Sequence, residues 1–226
     1  MSQAVYQVAT WLVPLVIAIV FHEVAHGWVA RMFGDPTAGQ SGRLSLNPIR
    51  HVDPVGTIIL PMGLALAGVP IFGWAKPVPV DQRRLRNPRL HMVFVALAGP
   101  GMNFLLAALT FLLLVGLLAE FGPKPGALVT FLNANLANFA VINVTLAVFN
   151  LLPLPPFDGG HVVEGLLPPS LGRRFARLAR YGFPLMIILL VVLPMISPQA
   201  DYVPRLIGPP IDWILNQGSR FLSLFV

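Results

Sequence analysis

The sequence predicts an all-α polytopic membrane protein with about four transmembrane helices, a re-entrant or short hydrophobic segment, and small edge strands beside a polar site. Of its 226 residues, 56% are hydrophobic and only 11% are charged, and the mean hydropathy is +0.75. Water-soluble globular domains are typically about 25% charged. Long apolar runs, one of them interrupted by proline and glycine, complete the basis for this fold class.

Three apolar runs reach the roughly 20 residues that a transmembrane helix needs. They cover residues 8–28, 91–119 and 128–152, and a shorter fourth run covers 182–196. The first run lacks the basic flank and the small-residue cleavage site of a signal peptide, so we expect a permanent helix. The tail 205–226 mixes apolar and polar residues, which is typical of an interfacial helix or a dimer contact.

Residues 55–72 form the interrupted run, and their prolines and glycines suit a re-entrant element better than a straight helix. If this segment enters and leaves on one side, the loops 31–54, 73–91 and 153–181 share a face and hold 12 of the 15 lysines and arginines. The positive-inside rule then places these loops in the cytoplasm and the N-terminus outside. A short crossing by 55–72 is the alternative.

Composition also excludes several classes of function. The chain has no cysteine, which excludes disulfides, thiolate metal sites and cysteine nucleophiles. Its net charge is +6, with a pI near 10.8. No basic stripe with interleaved aromatic residues accompanies this charge, so we expect no nucleic-acid partner and assign the basic loops to membrane orientation.

The first apolar run ends in "IVFHEVAHGWVA", residues 19–30, which contains an H-E-x-x-H motif. On a helix, His22 and His26 lie on one face, where two imidazoles can bind one zinc ion while Glu23 acts as a general base. If the hydrocarbon layer begins near Val8, His22 lies about 21 Å along the helix and still within a core of ~30 Å. Ionisable residues at that depth cost roughly 2.5–3.5 kcal/mol each, which argues against a chance motif.

Asp158, in "FNLLPLPPFDGGHVVEG", is the candidate third ligand. It follows the third long run and, by the topology above, emerges on the same face as the two histidines. The prolines before it end a helix, and Gly159 and Gly160 permit a tight turn behind it. A helix cap is the alternative role for Asp158, and His161 and Glu164 are rival ligands.

Three stretches, "FHEVAHGWVA", "ALAGPGMNF" and "NLLPLPPFDGG", resemble the three signatures of the site-2 protease family of intramembrane zinc metalloproteases. "GWAKPVPVD" is similar to the compact subgroup that lacks PDZ and CBS domains. The resemblance spans roughly residues 10–165. It implies one domain over 1–226, with a catalytic core at about 8–165 and C-terminal helices at about 182–226.

The resemblance also implies roles for individual residues. His22, His26 and Asp158 would bind one Zn²⁺ per chain, Glu23 would be the catalytic base, and Asn150 would bind substrate. Gly99, Pro100 and Asn103 match the G-P-x-x-N signature, for which close helix packing through small residues is an equally weighted explanation.

The function implied is hydrolysis of peptide bonds in or near transmembrane segments of membrane proteins. The expected partners are a transmembrane protein or peptide substrate and the lipid bilayer, with a homo-oligomer left open. The expected location is a bacterial inner membrane, multi-pass, with the active site toward the cytoplasm. Residues 41–48 and 76–80 could be edge strands that hold an unwound substrate, or ordinary cytoplasmic loops.

Two other classes of function remain as alternatives. A membrane metal-ion transporter would also use broken helices and ionisable residues within the membrane, but it should show inverted repeats, and none is evident. A non-catalytic zinc-binding membrane protein would close its site with four protein ligands and would not need Glu23.

Overall fold

The computed structural model describes residues 3–66, 73–122, 126–196 and 202–225. The α-helices in these ranges are α1 Gln3–Met32, α2 Thr37–Gln40, α3 Leu60–Leu66, α4 Pro88–Phe121, α5 Ala127–Asn150, α6 Asp158–Leu166, α7 Pro169–Ala176, α8 Gly182–Ile187, α9 Leu193–Ile196 and α10 Tyr202–Leu222. The all-α fold class is confirmed.

Three of these helices, α1, α4 and α5, are long and apolar enough to cross a membrane. They confirm the first three predicted spans, and α4 packs against both α1 and α5. The fourth predicted run, 182–196, is helical throughout and consists of α8, a π-helical stretch Ile188–Val192 and α9. The described residues contain three helices that meet the length and composition of a span, so the expected count of about four is not confirmed.

The ends of α4 follow from its local sequence. The Asn87 side chain accepts a hydrogen bond from the Leu90 N–H at 3.4 Å, and Pro88 occupies the first turn, where its missing N–H is tolerated. At the other end, Gly122 has a φ of 65°, a left-handed conformation that glycine adopts without strain. The chain therefore leaves the long helix at a glycine.

The interrupted run begins as a π-helix, Pro54–Ile59, and continues as α3. The Asp53 carboxylate starts it by accepting hydrogen bonds from the next turn. Residues 67–72, part of the predicted re-entrant segment, lie outside the described residues. Beyond them, the Trp74 N–H donates to the Gly56 carbonyl at 3.1 Å and the Thr57 hydroxyl donates to the Trp74 carbonyl at 2.9 Å. The chain therefore returns to the level at which the run began.

The described ranges contain no β-strand. The two predicted edge segments are irregular: residues 41–42 form a turn, and residues 43–47 and 76–80 have no regular secondary structure. Pro77 and Pro79 have no N–H to contribute to a ladder, which explains why the second segment pairs with no neighbouring strand.

Helices after the proline-rich break pack back onto the three long helices. Gly165 of α6 lies so close to α4 that a Cβ there would be 2.2 Å from Val93 Cγ2. The Arg89 side chain of α4 donates to the Gly165 carbonyl at 2.8 Å. The C-terminal α10, expected as an interfacial helix or dimer contact, packs on α5 and α4, with Gly218 against the ring of Phe111.

Candidate metal centre

His22 and His26 lie side by side on α1, as their spacing predicts. Their Nε2 atoms are 3.1 Å apart, and their rings meet edge to face with centroids 4.7 Å apart. Only 9% and 12% of the two side chains are exposed. Both imidazoles therefore direct their Nε2 atoms toward the same buried position.

Asp158, in the first turn of α6, directs its carboxylate toward the same position. Its Oδ2 atom lies 3.2 Å from His22 Nε2 and 3.4 Å from His26 Nε2. A carboxylate at a helix N-terminus is stabilised by the helix dipole and the free N–H groups there. The structure thus brings Asp158 next to two histidines that precede it in the sequence by more than 130 residues.

The donor set fits a zinc ion. Tetrahedral zinc with ligand bonds of roughly 2.0–2.1 Å separates adjacent ligand atoms by about 3.3 Å, close to the three distances found here. Asp158 Oδ2 is buried, yet it makes no hydrogen bond of normal geometry to any part of the chain that the structure describes. An ion shared by the three side chains would bind this oxygen. Without a partner, a buried carboxylate oxygen destabilises the fold.

The other ring nitrogen of each histidine fixes the tautomer. The Nδ1–H of His22 donates to the Asn103 side-chain oxygen at 2.6 Å, and the Nδ1–H of His26 donates to the Val95 carbonyl at 2.7 Å. Because a carbonyl oxygen can only accept, the proton must be on Nδ1. The Nε2 lone pairs are therefore free for a metal, the arrangement typical of zinc-binding histidines.

Asn103 is itself held by a buried network. It is fully buried, and its amide group donates to the Asn143 side-chain oxygen at 2.7 Å and to the Ala18 carbonyl at 3.3 Å. Asn143 is also fully buried and donates to the Phe139 carbonyl at 2.8 Å. Asn143 was absent from the predicted site, although an asparagine within the apolar run 128–152 was a signal of a buried partner.

Glycines allow these elements to approach closely. A Cβ on Gly99 would lie 2.4 Å from His26 Nε2 and 2.6 Å from His22 Cε1, so the close packing considered for this residue is against the imidazoles themselves. A Cβ on Gly159 would lie 2.3 Å from the Leu151 carbonyl oxygen. Gly159 therefore acts through close packing of α6 on the end of α5 rather than through a left-handed turn.

The remaining predicted residues have other contacts. Glu23 is half-buried and accepts a hydrogen bond from the Val78 N–H at 2.8 Å. The rival ligands His161 and Glu164 pair with each other, with Nδ1 and Oε2 3.7 Å apart, and do not join the His–His–Asp group. Asn150 donates to the Leu146 carbonyl of its own helix at 2.9 Å.

A buried His–His–Asp group between membrane-spanning helices, with a glutamate following the first histidine, defines a membrane-embedded metallopeptidase. The chain belongs to peptidase family M50, the site-2 protease family, whose sequence model matches residues 10–129 and 123–193.

Curated relatives agree with this assignment. The chain is 41% identical over 192 residues to the Bacillus subtilis protein YwhC, whose name describes a zinc metalloprotease, covering 85% of this chain and 82% of YwhC. It is 32% identical over 185 residues to Rip2 of Mycolicibacterium smegmatis and 33% identical over 183 residues to Rip2 of Mycobacterium tuberculosis (strain H37Rv), both also named as zinc metalloproteases. These matches cover 81% and 80% of this chain but 66% and 65% of the two Rip2 proteins. No solved structure matches.

Replacing Asp158 should remove the metal, whereas replacing its rival should not. We expect Asp158→Ala to fall from about one zinc per purified chain to substoichiometric zinc, because catalytic zinc sites use three protein ligands and only two histidines would remain. His161→Ala, on the same helix but outside the cluster, should keep its zinc. Metal analysis of both variants after dialysis in detergent tests this. Zinc loss from His161→Ala with retention by Asp158→Ala would reverse the assignment.

Proposed function

We propose that this chain is an intramembrane zinc metalloprotease that hydrolyses peptide bonds in or near transmembrane segments of membrane proteins. The observation that carries this proposal is the convergence of His22 and His26, on a helix long enough to cross a membrane, with the Asp158 Oδ2 atom at the start of α6. Membership of peptidase family M50 supports peptide hydrolysis as the reaction. The comparisons give no support to a metal-ion transporter.

The proposed roles follow from the positions of the side chains. His22, His26 and Asp158 would hold the ion through Nε2, Nε2 and Oδ2, which leaves a fourth position for the reactants. When bound, zinc supplies Lewis-acid chemistry, polarising the scissile carbonyl and lowering the pKa of a water molecule. Glu23 takes a proton from the attacking water and later delivers it to the leaving amine.

Residues around the site orient the two histidines and leave space for them. The hydrogen bonds to Asn103 and the Val95 carbonyl hold both imidazoles in the metal-binding tautomer. Gly99 leaves no side chain between α4 and the ligands. The histidine side chains of the site are only 9% and 12% exposed, so the electrostatic interactions within it are weakly screened by solvent.

Substrate contact is proposed for Asn150, at the C-terminal end of α5. A transmembrane helix hides its peptide bonds behind backbone hydrogen bonds, so it must unwind before cleavage. The Asn150 amide carries both donors and an acceptor that can replace the lost backbone partners. Its present hydrogen bond, to the Leu146 carbonyl, uses one donor and leaves the rest of the amide available.

The proposed membrane arrangement places the N-terminus outside and the loops 31–54, 73–91 and 153–181 in the cytoplasm. The return of the chain at Trp74 to Gly56 supports a re-entrant path for the interrupted run. Twelve of the fifteen basic residues then lie on the cytoplasmic face. The bacterial origin of the relatives supports a location in a bacterial inner membrane.

The catalytic role of Glu23 can be separated from metal binding. We expect Glu23→Gln to lose at least about 100-fold in kcat, because general acid–base catalysis contributes that much, while keeping about one zinc per chain. Glu164→Gln is the matched control, since its carboxylate pairs with His161 outside the cluster. Cleavage of a model transmembrane segment and metal content are measured together. Full activity in Glu23→Gln would remove the proposed mechanism.

Asn150→Ala tests the substrate contact. We expect it to keep zinc and fold but to lose about 100- to 1,000-fold in kcat if the amide stabilises charge developing on the scissile carbonyl. Asn135→Ala is the control, because Asn135 makes the same hydrogen bond to the carbonyl four residues earlier on the same helix. Equal, unchanged kinetics for both variants would return Asn150 to a structural role.

The cysteine-free chain allows a direct test of topology. Single cysteines at the exposed positions Gln82 and Ser170 should react with an impermeant maleimide from one membrane face, and a cysteine at Gly126 from the other. A side chain at Gly126 meets no neighbouring atom, so that substitution should not disturb the fold. Labelling of positions 82 and 170 from opposite faces would exclude the re-entrant path.

A further inference from the structure

A strap without regular secondary structure, residues 73–81, passes α1 next to Glu23. Val78 at its centre is 7% exposed. A Cβ on Gly27 would lie 2.8 Å from Val78 Cγ1, so the strap approaches α1 at a glycine one helical turn after Glu23. The close approach brings the strap backbone to the Glu23 carboxylate.

The strap has very few backbone donors at this point. Pro77 and Pro79 have no N–H, so the Val78 N–H is the single backbone donor of residues 77–79. It donates to Glu23 Oε2 at 2.8 Å. Two prolines therefore isolate one amide and direct it at one carboxylate oxygen.

This amide is the polar partner that the structure provides for Glu23. A carboxylate among apolar helices is costly unless it is paired. Across the described ranges, Glu23 makes no ion pair with a lysine or arginine, and Oε1 makes no hydrogen bond. The charge-assisted bond from Val78 thus fixes one oxygen and leaves the other free.

Anchors on the N-terminal side hold the strap in register. The Lys76 N–H donates to the His51 carbonyl at 2.9 Å. The side chain of Arg43, which is 9% exposed, donates to the Lys76 carbonyl at 2.6 Å and to the Pro77 carbonyl at 3.3 Å. A buried guanidinium therefore fixes the two peptide units immediately before Val78.

A second anchor lies on the C-terminal side. The fully buried Asp35 carboxylate accepts a hydrogen bond from the Asp81 N–H at 2.7 Å through Oδ2. Its other oxygen accepts from the Thr37 N–H at 3.0 Å. With both ends held, the Val78 amide cannot follow the carboxylate if the Glu23 side chain rotates away.

These contacts argue against the expectation that residues 76–80 form an edge strand that binds substrate. Strand addition needs free N–H and carbonyl groups at alternate residues. Here residues 77 and 79 lack N–H groups, the Val78 N–H is used, and Arg43 occupies the carbonyls of residues 76 and 77. Few backbone donors and acceptors therefore remain free at the centre of the strap to pair with a substrate backbone.

We propose that the Val78 backbone amide is a positioning group for Glu23, and that the strap 73–81 is a carboxylate clamp rather than a substrate strand. The inference rests on the proposed role of Glu23 as the catalytic base. By holding Oε2, the clamp sets the rotation of the carboxylate and leaves Oε1 to accept and return the proton. Substrate would then be held by other elements.

Hydrogen exchange tests the contact without any activity measurement. A fragment of residues 76–79 reports on one backbone amide hydrogen, that of Val78, because Lys76 becomes the fragment's free amine and both prolines lack an N–H. Its exchange in the full-length wild-type chain should be slow, and in Glu23→Ala it should be at least about 10-fold faster, because a hydrogen bond to a charged acceptor is lost. Glu164→Ala is the control and should leave this exchange unchanged. Equal exchange in wild type and Glu23→Ala would overturn the clamp.

Kinetics test the consequence. Val78→Pro removes the amide hydrogen and should retain zinc but lose about 10- to 100-fold in kcat, with KM changed less than about twofold. Val80→Pro makes the same substitution two residues later, where the amide bonds to no described residue, and should retain kcat. A raised KM with unchanged kcat in Val78→Pro would identify a substrate strand and overturn the proposal.

Failure of the proposed protease function can be distinguished from failure of the Val78 clamp. If Glu23→Gln cleaves normally, the proposed function is wrong whatever the exchange data show. If Glu23→Gln is inactive but Val78→Pro has wild-type kcat and the Val78 amide exchanges equally in wild type and Glu23→Ala, the metalloprotease stands and the clamp is wrong. Should Val78→Pro not fold, the exchange comparison decides alone.

Discussion

The cost of placing polar groups among membrane-spanning helices controls this structure. In a hydrocarbon environment each donor or acceptor must find a protein partner or bind a ligand. The imidazoles of His22 and His26 find theirs in Asn103 and the Val95 carbonyl. Asp158 Oδ2 has none of normal geometry among the described residues, and its position beside two imidazole nitrogens makes the group a candidate metal site.

Convergence of distant chain segments depends equally on small residues. The histidines are on α1 and the aspartate begins α6, and α4 and α5 lie between them in sequence. Gly99 lets α4 contact the imidazoles, and Gly159 lets α6 contact the carbonyls that end α5. Polar pairing therefore selects the arrangement, and glycine packing permits it sterically.

The sequence predicted the three long helices and the His–His–Asp group, because hydropathy and the H-E-x-x-H spacing are local signals. It did not predict the π-helical stretch Ile188–Val192, because apolar composition does not distinguish an α-helix from a π-helix. It missed Asn143 and the Val78 amide. A backbone donor carries no side-chain signature, and a buried asparagine shows its partner only once the helices are packed.

The relay behind the first histidine is made entirely of neutral amides. Asn103 and Asn143 neither gain nor lose protons over the range in which proteins stay folded, unlike the carboxylates that often hold zinc-binding histidines. The hydrogen bonds from His22 to Asn103 and from Asn103 to Asn143 therefore need no charged partner behind the imidazole. Two amides thus orient a candidate zinc ligand inside the membrane without placing a further ionisable group there.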